Sequence, residues 1–312
     1  MIGWLRRRLM AAYERLLVGE LSGAPTHVAV IQDGNRRYAR RQGQAASTGH
    51  RAGAETTEAV LEWCHEVGVE ELTLYAFSIE NFARPADERE ALFDLLCEKL
   101  REFADAESIH EENVCIRAIG DLNRLPERVR AAIDYAEART EAYDRFTVNV
   151  ALAYGGRTEL LEAARSVAHD IDRGTLEPAD IDVETIESRL YDRSVRDVDL
   201  IIRTGGDERT SNFLPWHANG NEAAVVFCAP YWPAFGKTDF LRAVRTYEHR
   251  EASWRRTRAR RAIALLRAMG EVELAEARSV ARRFKDSLPS TERREADEDT
   301  GDGIEVPTTS AD

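Results

Sequence analysis

The sequence predicts an α/β fold, in which a single domain has a mostly parallel, six-stranded central sheet flanked by helices. Short apolar runs alternate along the chain with longer segments whose apolar residues recur at helical spacing. This alternation is typical of parallel strands joined by crossover helices. The short runs are apolar at nearly every position rather than at every second one, which indicates strands covered by helices on both faces.

The elements are expected in a regular order along the chain. After Pro25, the run His27–Gln32 forms the first strand, and similar runs place strands at 71–77, 114–119, 146–153, 198–202 and 223–228. The spacing of apolar residues predicts helices at 53–68, 86–111, 126–143, 157–173, 182–191, 237–249 and 252–283. Neither an internal repeat nor a low-complexity linker interrupts them, so residues 25–285 are expected to form one domain.

The two ends of the chain are predicted to lie outside that domain. Residues 1–24 hold a helix with apolar residues at helical spacing and three arginines at 6–8. Packing on the domain is the favoured interpretation, and a basic amphipathic helix at a membrane surface is the alternative. Residues 286–312 contain nine acidic and few apolar residues, so an acidic, disordered tail is expected.

Composition argues against several classes of protein. The formal charge of −13 disfavours nonspecific binding to nucleic acid. The four cysteines lie far apart without a CxxC pair, so buried thiols are expected and a zinc site is not. Neither a secretory signal nor an apolar stretch of membrane-spanning length is evident, which predicts a cytoplasmic protein. Only three of the 43 basic residues are lysine, which fits codon bias and salt adaptation of the host equally well.

Four polar strings follow predicted strands and carry most of the functional information. They combine glycines, arginines, hydroxyls and isolated carboxylates, and they occupy residues 33–37 (DGNRR), 77–85 (FSIENFARP), 154–157 (YGGR) and 203–212 (RTGGDERTSN). Ligands of parallel sheets bind beyond the carboxyl ends of the strands, where these strings converge. Such residues hold phosphate oxygens and a divalent cation. The sequence therefore predicts a site for more than one phosphorylated group.

The first string places a carboxylate directly after a buried strand. Asp33 is followed by Gly34, which leaves backbone N–H groups open for phosphate at the start of a helix. One carboxylate together with phosphate oxygens is a usual way of holding Mg²⁺. Positive charge is added by Arg36, Arg37, Arg40 and Arg41. A helix cap with a solvated basic face is the alternative, and this string alone does not decide between the two.

The other strings fit the same chemistry. Arg203 and Arg209 flank a Gly-Gly pair with Ser211 close by, and two guanidinium groups can grip a diphosphate bidentately. Glu222, just before the last strand, offers a second carboxylate for a metal ion. The string at 77–85 also suits a polar loop that caps the following helix.

Several alternative chemistries lack their sequence signatures. The chain has no P-loop, no Gly-x-Gly-x-x-Gly after the first strand and no Gly-x-Ser-x-Gly elbow. The seven histidines show no metal-ligand spacing. Only His50 lies near one of the strings, and capping of a helix is the alternative to a functional role for it.

In their order and spacing, these strings resemble those of the cis-prenyltransferases, a family that includes the undecaprenyl and dehydrodolichyl diphosphate synthases. The resemblance runs from about Pro25 to Phe240 and includes Trp232-Pro233. The strings DGNRRYA and FSIENF are closer to dolichol-type and archaeal members than to bacterial ones. The resemblance implies a Mg²⁺-dependent enzyme that adds isopentenyl diphosphate repeatedly to farnesyl or geranylgeranyl diphosphate, forming a Z double bond each time. The implied product is an undecaprenyl-type polyprenyl diphosphate, the precursor of a glycosyl carrier lipid.

The resemblance also implies roles for individual residues. Asp33 matches the aspartate that positions Mg²⁺ at the departing diphosphate, and Glu222 matches a second carboxylate associated with metal. Asn81 matches the position named as proton acceptor; because an amide is a poor base, Asp33 or the diphosphate itself is the expected acceptor, with Asn81 orienting it. The implied substrate-binding positions are Gly34, Asn35, Arg36, Arg37, Tyr38, His50, Ser78, Ile79, Glu80, Phe82, Arg84, Arg203, Arg209, Thr210 and Ser211.

Three further expectations come from the family. A hydrocarbon product needs an apolar tunnel, expected between the sheet and the helices at 86–111 and 126–143, although their apolar residues would equally suit an ordinary core. The family implies a homodimer, and lipid substrates imply at most peripheral contact with a membrane. One departure is that the usual arginine is absent from residues 44–48, so Arg36, Arg40 or Arg41 is expected to take its place.

Two other functions compete with this hypothesis. A non-catalytic partner subunit of the same fold would be expected to lose Asp33 and the phosphate-binding arginines, which this chain retains. A phosphatase or a nucleotide-binding enzyme would need a nucleophile or a P-loop, and neither signature is evident. An active prenyltransferase is therefore the favoured function.

Overall fold

The computed structural model describes residues 2–21, 23–191, 195–219 and 223–251. The chain divides into two compact units, Met1–Glu251 and Ala252–Asp312, and all described residues belong to the first. The helix predicted at 252–283, the acidic tail predicted at 286–312 and the predicted metal ligand Glu222 lie outside the described residues.

The six predicted strands form one sheet, in which every pairing among the described residues is parallel. They are β1 (His27–Ile31), β2 (Glu71–Ser78), β3 (Val114–Ile119), β4 (Phe146–Tyr154), β5 (Leu200–Arg203) and β6 (Ala224–Phe227). Their order in the sheet is β3-β4-β2-β1-β5-β6. The predicted fold class is thereby confirmed.

The helices lie close to their predicted positions. They are α1 (Ile2–Glu20), α2 (Asn35–Arg41), α3 (Ala46–Val67), α4 (Ala86–Asp105), α5 (Glu107–Glu111), α6 (Glu127–Thr140), α7 (Gly156–Asp172), α8 (Val183–Leu190) and α9 (Pro215–Asn219), and residues 237–251 are also helical. Helix α3 begins earlier than predicted because its first turns carry few apolar residues to reveal it. The segment predicted as one helix over 86–111 divides at Ala106, whose extended backbone separates α4 from α5.

Both faces of the central strands β1 and β5 are covered, as their apolar sequences predict. Val28 and Val30 of β1 belong to a large core cluster with residues of α3, α4 and α6. Ala29 and Ile31 belong to a second cluster that includes Phe213. Successive strand residues point to opposite faces, so β1 separates two apolar layers.

The strand order reverses at β1, which pairs with β2 on one side and β5 on the other. Ile31 lies opposite Arg203 in the register of β1 and β5, so the carboxyl ends of these two strands are side by side. Asp33 follows the first of them and Thr204 follows the second. Open α/β sheets bind ligands at such a reversal, and the topology therefore points to this edge.

Two glycines of α3 allow α2 to approach closely. A Cβ atom at Gly49 would lie 2.2 Å from the carbonyl oxygen of Asn35, and one at Gly53 would lie 2.4 Å from Asn35 Oδ1. Both distances are far shorter than van der Waals contact. At Gly49 the neighbour is backbone, so glycine is required there, whereas at Gly53 the Asn35 side chain would have to move. This contact fixes the first polar string against α3, next to Asp33.

The Gly49→Ala variant is expected to lose about 3 kcal/mol of unfolding free energy, because the added methyl group must displace the backbone of α2. Chemical denaturation of the purified variant measures the change. Gly19→Ala is the matched control, because a Cβ atom at Gly19 would have no described atom within 4 Å and alanine favours a helix. Equal stability of G49A and the parent protein would contradict the close contact.

Helix α1 packs on the domain. Leu17 is buried within the large core cluster, and Thr238 donates a hydrogen bond of 3.0 Å to Glu14 Oε1. These contacts favour the packed interpretation of the N-terminal segment over a helix at a membrane surface. Among the described residues, no helix is both long enough and apolar enough to cross a membrane.

Helix α7 carries a partly buried acid, Glu159. Tyr154 Oη donates a hydrogen bond of 2.7 Å to Glu159 Oε2, while Glu159 Oε1 is buried without a partner among the described residues. Burial raises the pKa of Glu159 to about 7, although hydrogen bonds from Tyr154 and Tyr191 oppose the shift. The folded protein therefore favours the protonated carboxyl.

Folding stability is expected to fall as the pH rises from 4.5 to about 7. At the acidic end the carboxyl of Glu159 is protonated in both states, whereas between its ordinary pKa of 4.5 and its folded value only the unfolded chain releases the proton. Over this pH range the unfolding free energy falls by about 3 kcal/mol. When the variants are denatured at several pH values, Glu159→Gln should not show this fall in unfolding free energy. Glu162→Gln, exposed on the same helix, should show it as the parent does. Identical pH profiles for E159Q and the parent would contradict the assignment.

Candidate active site

Three of the four polar strings converge on two adjoining polar cavities at the carboxyl ends of β1, β2 and β5. The fourth string, at 154–157, was expected at the same site, but its Tyr154 and Gly155 line a separate cavity. The larger polar cavity has a volume of about 650 Å³. The predicted residues that line it are Asp33, Gly34, Asn35, Arg36, Arg37, His50, Arg84 and Arg209. The smaller polar cavity, about 200 Å³, shares four of these and adds Ser78, Asn81, Arg203 and Ser211. Among the described residues, six arginines and two carboxylates line the pair. This excess of positive charge favours an anionic ligand.

Asp33 is held between two arginines. Its Oδ1 lies 2.8 Å from Arg37 Nη2, and its Oδ2 accepts a hydrogen bond of 2.8 Å from Arg203 Nη2. Partial burial acts to raise the pKa of Asp33, but the two guanidinium groups outweigh it and lower the pKa below its usual value. The carboxylate is therefore ionised at neutral pH and available as a cation ligand.

Backbone contacts fix the loop that carries Asp33. Thr204 Oγ1 donates a hydrogen bond of 2.8 Å to the Asp33 carbonyl and accepts one of 3.1 Å from the Asp33 N–H. The Trp232 N–H donates to the same carbonyl at 3.0 Å. Gly34 has a φ of +109°, and a Cβ atom there would lie 2.7 Å from the Tyr231 ring, so both backbone and space require glycine. Thr204 is not among the predicted site residues, although it adjoins the predicted Arg203.

Arg203 organises the string that follows β5. Its side chain is 4% exposed, and its Nη1 donates to Ser211 Oγ and to the Arg209 carbonyl, each at 2.5 Å. These bonds fold the string back on itself and bring Ser211 into the smaller polar cavity. The Arg209 side chain, by contrast, is largely exposed and lines the larger polar cavity.

Asp207 is a site residue that the sequence analysis did not select. Its Oδ2 lies 3.0 Å from Arg209, 3.5 Å from Arg203 and 3.8 Å from Arg37. The carboxylate thus occupies the space between three arginines, where an anionic ligand would be attracted. Asp207 lies between Arg203 and Arg209 in the sequence, and this position could have identified it as a site residue.

His50 belongs to a network with Arg84 and Glu88. Arg84 Nη1 donates to His50 Nε2 at 3.3 Å and to Glu88 Oε1 at 2.8 Å, and Arg36 Nε lies 3.3 Å from the same carboxylate oxygen. Burial and the charge of Arg84 lower the pKa of His50 well below 6.5, against the opposing effect of Glu88. The imidazole is therefore neutral at neutral pH. Glu88 is a second carboxylate that the sequence analysis did not select.

Ser78 and Asn81 form a capping box where β2 ends. The Ser78 side chain accepts from the Asn81 backbone, and Asn81 Oδ1 accepts a hydrogen bond of 3.2 Å from the Ser78 N–H. Both residues line the smaller polar cavity. An amide whose oxygen already accepts a hydrogen bond is poorly suited to take a proton, and its NH₂ group can only donate.

Five of the predicted residues that the structure describes line neither polar cavity. They are Tyr38, Ile79, Glu80, Phe82 and Thr210. Ile79 instead faces a separate cavity beside Gly155, and Glu80 is exposed. Phe82 packs edge-on against Phe77 with ring centroids 5.0 Å apart. The 3₁₀ turn after β2 directs successive side chains to different sides. Neighbouring residues of one sequence motif therefore face different parts of the protein.

Arg36, Arg40 and Arg41 are the three residues expected to replace the arginine that is absent from residues 44–48. Arg36 and Arg40 both line the larger polar cavity, as does Gln44. Arg41 lies instead over the ring of Tyr231, with its guanidinium carbon 4.7 Å from the ring centroid. The placement favours Arg36 and Arg40 over Arg41 as substitutes, which stays a prediction.

An apolar cavity of about 110 Å³ adjoins both polar cavities, because Gln32, Asn35 and His50 line all three. Its walls come mainly from β2, α3 and α4. The expected tunnel had α4 and α6 as its helical walls, but no residue of α6 lines this cavity. Helix α6 packs against α4 and β3 instead, so α3 takes its place as the second helical wall.

Of the two predicted metal ligands, Asp33 is the one among the described residues. Its ionised carboxylate lies beside arginines that suit a diphosphate, and the buried Oδ1 of Asn35 has no hydrogen-bond partner among the described residues. One carboxylate plus substrate oxygens suits Mg²⁺. Among the described residues, a second group with metal-ligand side chains consists of Glu187, Asp197 and His217. It lies at the opposite edge of the sheet, because Asp197 precedes β5.

Comparison with known proteins identifies relatives of this chain. A family described as "Putative undecaprenyl diphosphate synthase" matches residues 31–255. A tritrans,polycis-undecaprenyl-diphosphate synthase (geranylgeranyl-diphosphate specific) of Halobacterium salinarum is 65% identical over 302 residues, covering 97% of each chain. An enzyme of the same name from Haloarcula marismortui is 64% identical over 289 residues, covering 93% of this chain and 95% of that one.

Solved structures agree with the sequence relatives. Lavandulyl diphosphate synthase from Lavandula x intermedia, in complex with dimethylallyl diphosphate, matches with a TM-score of 0.65 and 33% identity, covering 72% of this chain and 95% of that one. A probable undecaprenyl diphosphate synthase from Campylobacter jejuni matches with a TM-score of 0.58 and 34% identity at the same coverage. The predicted resemblance and the predicted enzyme class are confirmed. The chain belongs to the cis-prenyltransferases, the family of the undecaprenyl diphosphate synthases.

Proposed function

We propose that this chain condenses isopentenyl diphosphate repeatedly with geranylgeranyl diphosphate, in the presence of Mg²⁺, to form an undecaprenyl-type polyprenyl diphosphate. The observation that carries the proposal is the junction of arginine-lined polar cavities with an apolar cavity at Gln32, Asn35 and His50. A prenyl diphosphate has the same division between a charged head and a hydrocarbon chain. The names of the archaeal relatives support geranylgeranyl diphosphate, rather than farnesyl diphosphate, as the starter.

Each polar cavity is assigned one diphosphate. The allylic diphosphate would bind in the larger polar cavity against Arg37 and Arg40, with the neutral His50 as a hydrogen-bond donor. Isopentenyl diphosphate would bind near Arg203 and Ser211. Planar guanidinium groups bind phosphate oxygens bidentately, and both substrates would displace the carboxylate of Asp207 from its arginine partners.

Asp33 would hold Mg²⁺ together with oxygens of the allylic diphosphate. When bound, the ion supplies positive charge that stabilises the departing diphosphate. Arg37 and Arg203 keep Asp33 ionised before the ion arrives, as its lowered pKa indicates. The same arginines then face the negative charge that develops as the allylic C–O bond breaks.

The proton lost from C2 of isopentenyl diphosphate needs an acceptor. The low pKa of Asp33 makes it a weak base, and the oxygen of the Asn81 amide already accepts from the Ser78 N–H. A diphosphate oxygen is therefore the proposed acceptor, and the NH₂ group of Asn81 would orient that diphosphate.

A homodimer with peripheral membrane contact is part of the proposal. Edge strand β6 exposes Val225 and Phe227, at 37% and 38% of their surfaces, and an exposed apolar edge suits pairing with a second copy. Light scattering of the purified protein should give twice the monomer mass. A monomer mass across the concentration range of the assay would contradict the dimer.

Incorporation of labelled isopentenyl diphosphate by the purified chain alone tests the activity. Reactions contain Mg²⁺ and either geranylgeranyl or farnesyl diphosphate, and a sample treated with a chelator is the control. Long polyprenyl products from geranylgeranyl diphosphate, lost on chelation, are expected. A folded chain that makes no product at low or high salt would favour the alternative of a partner-dependent subunit.

A further inference from the structure

The apolar cavity is too small for the proposed hydrocarbon chain. A dry cavity of about 150 Å³ accommodates benzene, so the 110 Å³ between the sheet and helices α3 and α4 holds about one five-carbon unit. A geranylgeranyl group contains four such units, and the product contains more. The cavity must therefore widen before and during elongation.

Widening requires α3 and α4 to separate from each other. On the sheet side, the cavity is bounded by residues of β2 and β4 such as Leu74 and Val150. Strand β2 is hydrogen-bonded to β1 and β4, and β4 to β2 and β3, so this wall is fixed. The opposite wall consists of α3 and α4, whose mutual contacts are made by side chains. Small residues of α3, among them Gly53 and Ala54, face the leucines of α4 there.

One ion pair in the cavity wall joins these two helices. Of the described residues that line the cavity, Lys99 is the one that carries a charge, because His50 is neutral. Its Nζ lies 2.9 Å from Glu58 Oε1 of α3 and 2.7 Å from Glu102 Oε2 of its own helix. The Lys99 side chain is 16% exposed and the Glu58 side chain 42%, so solvent screens this pair in part, though less than a pair exposed at both partners. A second pair between the helices, Arg51–Glu98, is exposed at both partners.

We propose that the Glu58–Lys99 ion pair limits how far α3 and α4 separate and thereby helps to set the length of the product. The inference rests on the proposed function. Lys99 lies two helical turns beyond Leu92, which lines both the smaller polar cavity and the apolar cavity; at 1.5 Å per residue this is about 10 Å from the junction. A growing chain passes that point, so the pair must open or yield for elongation to continue.

Three variants test the ion pair. Lys99→Met removes the charge and keeps an unbranched apolar side chain, and Glu58→Gln removes the charge on α3. Glu102→Gln is the matched control, because it breaks a contact within α4 and leaves the pair between helices intact. Hydrogen exchange of the free, full-length protein reports opening of α4, and mass spectrometry of the reaction with geranylgeranyl diphosphate reports product length.

The amide hydrogens of α4 are expected to exchange about 2- to 5-fold faster in K99M and E58Q than in the parent, the range for an ion pair of modest strength. Both variants are also expected to make products longer by at least one isoprene unit. E102Q should match the parent in both measurements. Unchanged exchange in K99M and E58Q would overturn the inference, and so would faster exchange with unchanged product length. A parent protein that makes no polyprenyl product would contradict the proposed function instead, while its exchange data still test the ion pair.

Discussion

Asp33→Asn is expected to lower kcat/KM for incorporation of isopentenyl diphosphate by about 10²- to 10³-fold, the usual effect of removing one group that stabilises charge in the transition state. The amide keeps the shape of the side chain but lacks the charge that would hold Mg²⁺. It also places an NH₂ group against Arg37 or Arg203, each of which contacts one carboxylate oxygen at 2.8 Å. Steady-state assays at saturating Mg²⁺ measure the loss.

Asp197→Asn supplies the matched control for this result. Asp197 precedes β5 at the opposite edge of the sheet and lines neither polar cavity, so the same chemical change there should leave the kinetics intact. Circular dichroism of both variants establishes that they are folded. Parent-like kinetics for D33N would remove Asp33 from the proposed site, whereas equal losses in D33N and D197N would indicate a general effect of charge.

Arg203→Lys is expected to lower both activity and stability although it conserves the charge. The guanidinium of Arg203 serves three acceptors at once, the carboxylate of Asp33, Ser211 Oγ and the Arg209 carbonyl. A lysine ammonium cannot reproduce that fork, so at least one acceptor in the enclosed site loses its partner. Denaturation should show a loss of about 2 kcal/mol, and kcat/KM for isopentenyl diphosphate should fall about 10²-fold.

Arg209→Lys separates the structural part of this effect from the binding part. The side chain of Arg209 is 67% exposed and contacts Asp207, so lysine should leave the unfolding free energy unchanged within about 0.5 kcal/mol. Its main effect is expected on KM for isopentenyl diphosphate. If R203K were as stable and as active as the parent, the hydrogen bonds of Arg203 could not organise the string after β5.

Much of the fold could be predicted because apolar patterning reports directly on burial. The central strands β1 and β5 are buried along their whole length, and the largely apolar runs of all six strands predicted their positions. Convergence of three of the four polar strings followed from parallel topology, since each lies at the carboxyl end of a strand. The pairing of β1 with both β2 and β5 then explains why Asp33 and Arg203 meet, although they are far apart in the sequence.

The rest of the site depends on side-chain direction, which a sequence string does not contain. Residues of the string after β2 were treated alike, yet Ser78 and Asn81 line a polar cavity while Phe82 packs against Phe77. The carboxylates Asp207 and Glu88 were overlooked because an acidic side chain becomes significant only when its arginine partners are known. The second helical wall of the apolar cavity was assigned to α6 for a similar reason, since amphipathic helices look alike until their packing is seen.

The position of Asp33 between Arg37 and Arg203 has a consequence for processivity in the proposed reaction. The product of each cycle carries its diphosphate where isopentenyl diphosphate was bound, beside Arg203, and becomes the allylic substrate of the next cycle, beside Arg37. The two arginines contact the two oxygens of a single carboxylate. A diphosphate can therefore pass from one arginine to the other over the width of one side chain, without release into water. Repeated elongation would then need only the departure of inorganic diphosphate and the entry of a new five-carbon unit.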